Sequence, residues 1–195
     1  MSRRTHPAIE PCLPRPAKEP AAGDGWIHEI KHDGLRIMAR RDARGVRLFT
    51  RNGYNFADRF LRIAAAVESL PVRSCFIDGE AIVVDANGLS VFDLIRHRQQ
   101  ERAAVLCAFD LIELDDEDLR RSPIEDRKSA LAELLRQKRD GIALNAHYNG
   151  DGAIIDKHAC KPGCEGIVLE AARLSLPFRP IGSLGSKSRT QQRQR

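Results

Sequence analysis

Residues 35–53, LRIMARRDARGVRLFTRNG, contain two runs in which apolar and polar residues alternate, joined by a polar Asp-Ala-Arg-Gly stretch. Alternation with a period of two places the apolar side chains on one face of a β-strand, and a short polar stretch ending in glycine reverses the chain. The pattern therefore predicts a β-hairpin with one face against a core.

Further strands are indicated at three places in the chain. CFIDGEAIVVDANGLSVF, residues 75–92, repeats the hairpin pattern with Ala-Asn-Gly as its turn. AVLCAFDLIEL, residues 104–114, is a nearly continuous apolar run and predicts a central strand. EGIVLEA, residues 165–171, predicts a final strand.

Helical apolar spacing predicts helices over residues 56–70, 122–138 and 151–163. The second begins with SPIE, an arrangement typical of a capping box with Ser122 as N-cap and Glu125 at the third helical position. Together, strands and helices indicate an α+β fold of antiparallel β-sheets flanked by helices.

Charge and composition divide the chain into three parts. The net charge is +5, yet residues 171–195 contain six Lys or Arg and no acid, so the basicity belongs to this tail. We expect an extended Pro-rich arm over 1–24, one folded domain over 25–170, and a tail over 171–195 that is disordered or frameshifted. No run of eighteen apolar residues is present, so we expect no membrane contact and a cytoplasmic location.

Lys31 ends an alternating run in GWIHEIKHDGLRIMARR, residues 25–41, and a tight Asp33-Gly34 turn follows it. Loss of hydration at a strand end lowers the pKa of an ammonium group, and an unprotonated lysine can attack a carbonyl or a phosphorus atom. Taken alone, a lysine before an Asp-Gly turn is more often a solvated surface residue.

The residues that accompany Lys31 favour phosphorus over a carbonyl substrate. Arg36 and Arg51 are suited to clamp phosphate oxygens, because their planar guanidinium groups are permanently charged. Acidic residues in Asp78-Gly79-Glu80 and at Glu165 are oxygen ligands for a hard divalent cation. This combination is typical of phosphoryl or nucleotidyl transfer.

Five motifs occur in a fixed order over residues 26–168: K-x-D-G-x-R from Lys31, R-x-G from Arg51, D-G-E from Asp78, an apolar strand ending in Phe109-Asp110, and E-G-I-V from Glu165. In this order they resemble the adenylation domain of ATP-dependent DNA ligases, and the wording around them is similar to the small bacterial repair-type members. The resemblance implies the nucleotidyltransferase fold shared by DNA ligases and mRNA capping enzymes.

The resemblance also implies a chemistry. Lys31 would attack the α-phosphorus of ATP and hold AMP, which then passes to nicked double-stranded DNA during repair or recombination, with other repair proteins as partners. Mg²⁺ would be the cofactor, held by Glu80 and Glu165. The residues implied to bind ATP are Glu29 at the base edge, Phe109 stacked on adenine, Arg36, Arg51, Glu80 and Lys187.

The C-terminal part departs from the family pattern. Glu170 stands where similar proteins have a lysine, so we expect an acidic group to face an anionic phosphate. No K-x-K motif follows, and Lys187 is the nearest substitute. If the tail is encoded by one particular set of codons, shifting the reading frame by two bases gives a sequence typical of the family, so we hypothesise that the tail is a frameshifted remnant. An oligonucleotide-binding barrel is not recognisable either, so we expect impaired nick sealing. The alternatives are an inactive fragment that only binds nucleotide and an RNA ligase or capping-type transferase.

Overall fold

The structure is a computed structural model, and it describes residues 15–17, 25–96, 98–149, 166–171 and 187–190. Its described strands are β1 (Arg15–Ala17), β2 (Trp26–Lys31), β3 (Leu35–Asp42), β4 (Gly45–Thr50), β5 (Cys75–Ile82), β6 (Val105–Leu114), β7 (Glu117–Asp118), β8 (Ile142–Leu144), β9 (His147–Asn149), β10 (Gly166–Ala171) and β11 (Lys187–Thr190). Its described α-helices are α1 (Leu61–Glu68), α2 (Phe92–Arg96) and α3 (Ile124–Leu134).

The described strands form two sheets. The small sheet has the order β1-β11-β10-β2-β9, and the large sheet has the order β4-β3-β5-β6-β7, with β8 paired to β6. Neighbours are antiparallel except for the pairs β1 with β11 and β6 with β8. The expected α+β architecture with antiparallel sheets is therefore confirmed.

The main core lies on one face of the large sheet. Ile63 and Val67 of α1 are fully buried in it together with Ile37 of β3 and Ile77 of β5. Burying an aliphatic side chain of this size contributes about 1.5–3 kcal/mol, so the apolar alternation that predicted these strands also holds the helix on them. None of the helices in the described part of the chain has the length and apolar character that crossing a bilayer requires.

Several sequence predictions agree with the structure element by element. The hairpin over residues 35–53 is the pair β3 and β4, joined at Asp42 and Gly45. The apolar run is β6, which pairs with β5, β7 and β8. Helices α1 and α3 and strand β10 lie inside the predicted ranges, whereas the helix predicted over 151–163 falls outside the described residues.

The second predicted hairpin is shorter than its sequence pattern indicates. Gly88 has the positive φ of 81° that the turn requires, but the returning chain makes only an isolated bridge between Val84 and Ser90. The reason is topological, because β3 and β6 already occupy both edges of β5. A returning strand can therefore pair only with residues beyond Ile82.

The start of α3 also differs from its prediction. The helix begins at Ile124 with Pro123 as its N-cap, and no side chain donates or accepts a capping hydrogen bond there. Ser122 instead ends the preceding 3₁₀ helix (Leu119–Arg121), so the predicted capping box is wrong. In the tail, the structure has strand β11 where the sequence predicts none.

Candidate active site

Lys31 is the last residue of β2, and its Cα pairs with Gly166 of β10 in the small sheet. The turn that follows leads directly into β3 of the large sheet, and the Asp33 amide donates a hydrogen bond to Ser90 Oγ at 3.0 Å. The strand end that carries Lys31 is therefore held where the two sheets meet.

The glycine of the K-x-D-G motif is required by space. A Cβ at Gly34 would lie far inside van der Waals contact with the Ala81 carbonyl oxygen, 2.8 Å from Ile82 Cγ2 and 3.0 Å from Glu80 Cγ. The turn after Lys31 therefore packs directly on the end of β5, beside Glu80. The motif glycine Gly79 is similarly confined, because a Cβ there would lie 2.8 Å from the Cys107 carbonyl oxygen.

Glu80 is mostly buried on β5 and has an unusual protonation equilibrium. Burial raises the pKa of its carboxyl group from the ordinary 4.5 to about 7, and the nearby charge of Asp78 adds to the rise. The positive charges of Arg36 and Lys31 oppose this rise, which places both cations within electrostatic reach of Glu80. Three sequence-predicted site residues thus lie in one electrostatic environment.

Arg36 links two further motif residues. Its Nε and Nη2 atoms donate to the two carboxylate oxygens of Asp78, each at 2.6 Å. Its Cζ atom lies 4.4 Å from the ring centroid of Phe109. A bidentate pair of this kind fixes the guanidinium plane, and here that plane covers one face of the ring implied to stack on adenine.

Arg51 and Glu29 occupy different surroundings. Arg51 is exposed, one residue beyond Thr50, which pairs with Ile37 of β3, so its backbone lies at the Arg36 end of that strand. Glu29 is buried in β2 and forms an ion pair with Lys128 of α3, from Oε1 to Nζ at 2.9 Å. Glu29 and Lys31 are two residues apart in β2 and so share a face of the strand, but the Glu29 carboxylate has a cation of its own.

Glu170 is buried and has a cationic partner in α3. This residue is only 5% exposed, and its Oε2 atom lies 3.5 Å from Lys128 Nζ. The acid at position 170 therefore lies beside a buried lysine, which partly offsets its charge. Arg127, which precedes Lys128 in α3, forms a buried ion pair with Asp110 at 2.8 and 3.1 Å.

Asn145 connects the two sheets around Lys31. Its Oδ1 atom lies 3.0 Å from His32 Nε2, and its Nδ2 atom donates to the Ile30 carbonyl at 3.2 Å. The backbone N–H of Asn145 donates to the Ala108 carbonyl of β6 at 2.7 Å. Burial lowers the pKa of His32. The residues on both sides of Lys31 are thus tied to the large sheet.

Two predicted residues fall wholly or partly outside the description. Glu165 is outside the described residues, and of Lys187 the structure gives the backbone, which pairs with Glu170. Within the described ranges, no group of three or more His, Cys, Asp or Glu side chains is arranged to hold a metal ion. Mg²⁺ needs only one or two carboxylates plus substrate phosphates, so the carboxylate of the half-buried Glu80 still fits it.

Sequence reasoning missed Lys128 and Asn145. The buried residues of α3 are Ile124, Arg127, Lys128, Leu131 and Leu134. Two of them are cations inside the apolar stripe of an amphipathic helix, and such positions rarely hold charges unless they are paired. That misplacement is the signal from which Lys128 could have been found; Asn145 has no comparable signal.

Most of the chain is similar in sequence to ATP-dependent DNA ligases. A family model described as the ATP dependent DNA ligase domain matches residues 15–177. The multifunctional non-homologous end joining protein LigD of Pseudomonas aeruginosa is 32% identical over 175 residues, covering 88% of this chain and 20% of LigD. The chain thus spans about a fifth of this curated relative.

Solved structures give the same fold. The ligase domain of Mycobacterium tuberculosis LigD has a TM-score of 0.76 at 24% identity, covering 91% of this chain and 60% of that domain. A mycobacterial DNA ligase D complexed with ATP and MES has a TM-score of 0.75 at 24% identity, covering 91% of this chain and 58% of that one.

Proposed function

The chain belongs to the family of ATP-dependent DNA ligase domains, and from this premise we propose that Lys31 becomes covalently linked to AMP, with ATP as the donor. The amine, once it has lost its proton, attacks the α-phosphorus of ATP. A phosphorus–nitrogen bond forms as the bond to pyrophosphate breaks. The adenylate on Lys31 is then the donor for a DNA 5′-phosphate, and a 3′-hydroxyl displaces AMP to seal the nick.

The observation that carries this proposal is the position of Lys31 between the two sheets. The Gly34 turn packs on β5 beside Glu80, and Asn145 ties the residues flanking Lys31 to β6. A nucleophile held in line with its electrophile avoids most of the entropic cost of a bimolecular reaction. A strand end anchored on two sides meets that requirement better than a loop.

The other residues of the site bind the nucleotide or the metal ion, each in a role that suits its side chain. Arg36, released from or shared with Asp78, and Arg51 bind phosphate or ribose oxygens; Phe109 contacts the adenine face and Glu29 its edge. Lys187 neutralises the α-phosphate in place of the absent lysine motif. Mg²⁺, held by Glu80 and Glu165, would supply charge neutralisation at the phosphates when bound.

The substrate and the setting are part of the proposal. Nicked double-stranded DNA in repair or recombination is the substrate suggested by the LigD relative, whose name describes end joining. We also propose other repair proteins as partners, because the name of this relative describes a multifunctional role in end joining. A cytoplasmic location follows, since that compartment holds the DNA of the bacterium from which the relative comes.

The test is covalent labelling with ATP radioactive at the α-phosphate, in the presence of Mg²⁺. We expect label on the wild-type protein that survives denaturation and is released by acid, as a phosphoramidate is, and none on Lys31→Ala. Lys138→Ala removes an exposed lysine on another part of the chain and should keep the label.

Three outcomes would contradict the proposal in different ways. Label on Lys31→Ala would exclude Lys31 as the nucleophile. Binding of ATP without any covalent label, by a folded protein, would indicate a fragment that only binds nucleotide. Stronger labelling by GTP than by ATP, or preferential joining of RNA, would favour a capping-type or RNA-ligase activity.

A further inference from the structure

Lys128 is one of two buried cations in α3, whose other buried residues are apolar. Its side chain is 3% exposed, and it lies in α3 between Ile124 and Leu131, which are both buried in the same stripe. An ammonium group loses its hydration in such a place, so it stays charged only where acceptors and opposite charges surround it. The oxygen atoms that surround Lys128 therefore indicate what its buried charge stabilises.

Three oxygen atoms surround the Lys128 ammonium, and they come from both sheets. Nζ donates to the Phe109 carbonyl of β6 at 2.8 Å. It also lies 2.9 Å from Glu29 Oε1 of β2 and 3.5 Å from Glu170 Oε2 of β10. One side chain thus joins the strand of the proposed adenine-stacking ring to the strand of the proposed base-edge carboxylate.

We propose that Lys128 is a positioning residue of the nucleotide site, which together with Glu170 holds the Glu29 carboxylate at the edge of the base. This inference rests on the proposed function, because it assigns the selectivity of the same site. Lys128 does not touch the nucleotide. It fixes the distance between Glu29 and the backbone that carries Phe109, and hence between the base-edge contact and the base-face contact.

The charges of this group favour adenine over guanine. Two carboxylates and one ammonium carry a net charge of −1, and the neighbouring Arg127 and Asp110 cancel each other. A carboxylate at the base edge accepts a hydrogen bond from the 6-amino group of adenine and repels the 6-oxygen of guanine. A hydrogen bond to a charged group corresponds to about tenfold or more in Kd.

The ion pair with Lys128 explains why residue 170 is an acid in this chain. A lysine at this position would place a second ammonium beside Lys128, and the two like charges would compete for Glu29. The acid instead gives Lys128 a second counter-ion on a strand adjacent to β2. In this chain, the reversed charge at residue 170 is therefore the partner of the lysine in α3.

The experiment measures Kd for the α,β-methylene analogues of ATP and GTP, which cannot release pyrophosphate, so binding is separated from the covalent step. The variants are Lys128→Met, Lys128→Arg and Glu170→Gln, with Glu133→Gln as a control on the exposed face of α3. Circular dichroism and thermal unfolding establish that each variant is folded.

We expect the wild-type protein to prefer the ATP analogue by about tenfold or more. Lys128→Met should reduce this preference to within about threefold, Lys128→Arg should restore part of it, and Glu170→Gln should reduce it by a smaller factor. Glu133→Gln should behave as wild type. A merely structural role would weaken both analogues equally and leave the preference unchanged.

Wild-type preference in folded Lys128→Met would overturn the inference. If that variant does not fold, Glu170→Gln decides, and an unchanged preference there overturns it too. A wild-type protein that binds neither analogue would refute the proposed function and this inference with it. Binding with the expected preference but no covalent label on Lys31 would contradict the proposed catalysis and leave the inference standing.

Discussion

Replacing Gly34 by alanine tests whether the turn after Lys31 is positioned by its packing on β5. The added Cβ would lie far too close to the Ala81 carbonyl oxygen, 2.8 Å from Ile82 Cγ2 and 3.0 Å from Glu80 Cγ. The carbonyl is part of a paired strand and cannot rotate away. The turn must therefore retreat from β5 by roughly 1 Å, a displacement that commonly costs about a hundredfold in rate when it affects reacting groups.

Two quantities should change in Gly34→Ala, each by a different amount. The free energy of unfolding, measured by urea denaturation, should fall by about 1–3 kcal/mol, the usual cost of overpacking. The rate of covalent labelling by ATP should fall by about a hundredfold, because Lys31 moves relative to Glu80. Affinity for the α,β-methylene analogue of ATP should change much less, since Phe109 lies on β6 and Glu29 is held by Lys128, away from the turn.

The matched control is Gly25→Ala. Gly25 is exposed just before β2, and a Cβ there would have no heavy atom within 4 Å. Its free energy of unfolding should change by less than about 0.5 kcal/mol and its labelling rate should not change. Wild-type labelling by Gly34→Ala, or an equal loss in both glycine variants, would refute the argument from packing.

Two further predictions concern buried charges. Arg127→Met leaves Asp110 buried without the guanidinium that contacts it at 2.8 and 3.1 Å, so the free energy of unfolding should fall by about 3–5 kcal/mol in urea denaturation. Burial raises the pKa of Glu80 to about 7, above its ordinary 4.5, so the folded protein without metal or nucleotide binds a proton more tightly than the unfolded chain. The free energy of unfolding should therefore decline as the pH rises from 4.5 to about 7. At pH 8, Glu80→Gln should be more stable than wild type by up to about 3 kcal/mol, and at pH 4.5 the two proteins should differ little.

Each of these two has its own control. Arg120→Met removes the partner of Asp118, an ion pair whose side chains are 21% and 45% exposed, and should cost less than about 1 kcal/mol. If Arg127→Met were as mild as Arg120→Met, burial would not be the source of the cost. Parallel stability profiles of wild type and Glu80→Gln between pH 5 and 8 would show that Glu80 does not titrate as the structure indicates.

Elements that depend on neighbouring residues were predictable. The hairpin of β3 and β4 follows from alternation and a four-residue turn, and α1 follows from apolar spacing in an alanine-rich stretch. In both, the residues that decide the conformation lie within a few positions of one another. The motif residues were found for the same reason, since Lys31 and Gly34 belong to one short stretch of chain.

Predictions failed where a remote part of the chain competes for the same backbone. The return strand after Gly88 is cut short because β3 and β6 already pair with β5. Ser122 does not cap α3 because it closes the preceding 3₁₀ helix and its carbonyl accepts a hydrogen bond from Arg127 Nη1 at 2.7 Å. Rules based on neighbouring residues alone do not include contacts of this kind.

By itself, the amino-acid sequence determined the order of the local elements and the α+β class, because periodicity is a property of the chain alone. The order of the motifs from Lys31 to Phe109 indicated the family through resemblance. Only the tertiary structure decided that Lys128 lies between Glu29 and Glu170. A buried charge is tolerated where opposite charges converge, and that convergence depends on which strands become neighbours. The sequence shows a lysine in an apolar stripe, and the packing of α3 against both sheets gives that lysine its partners.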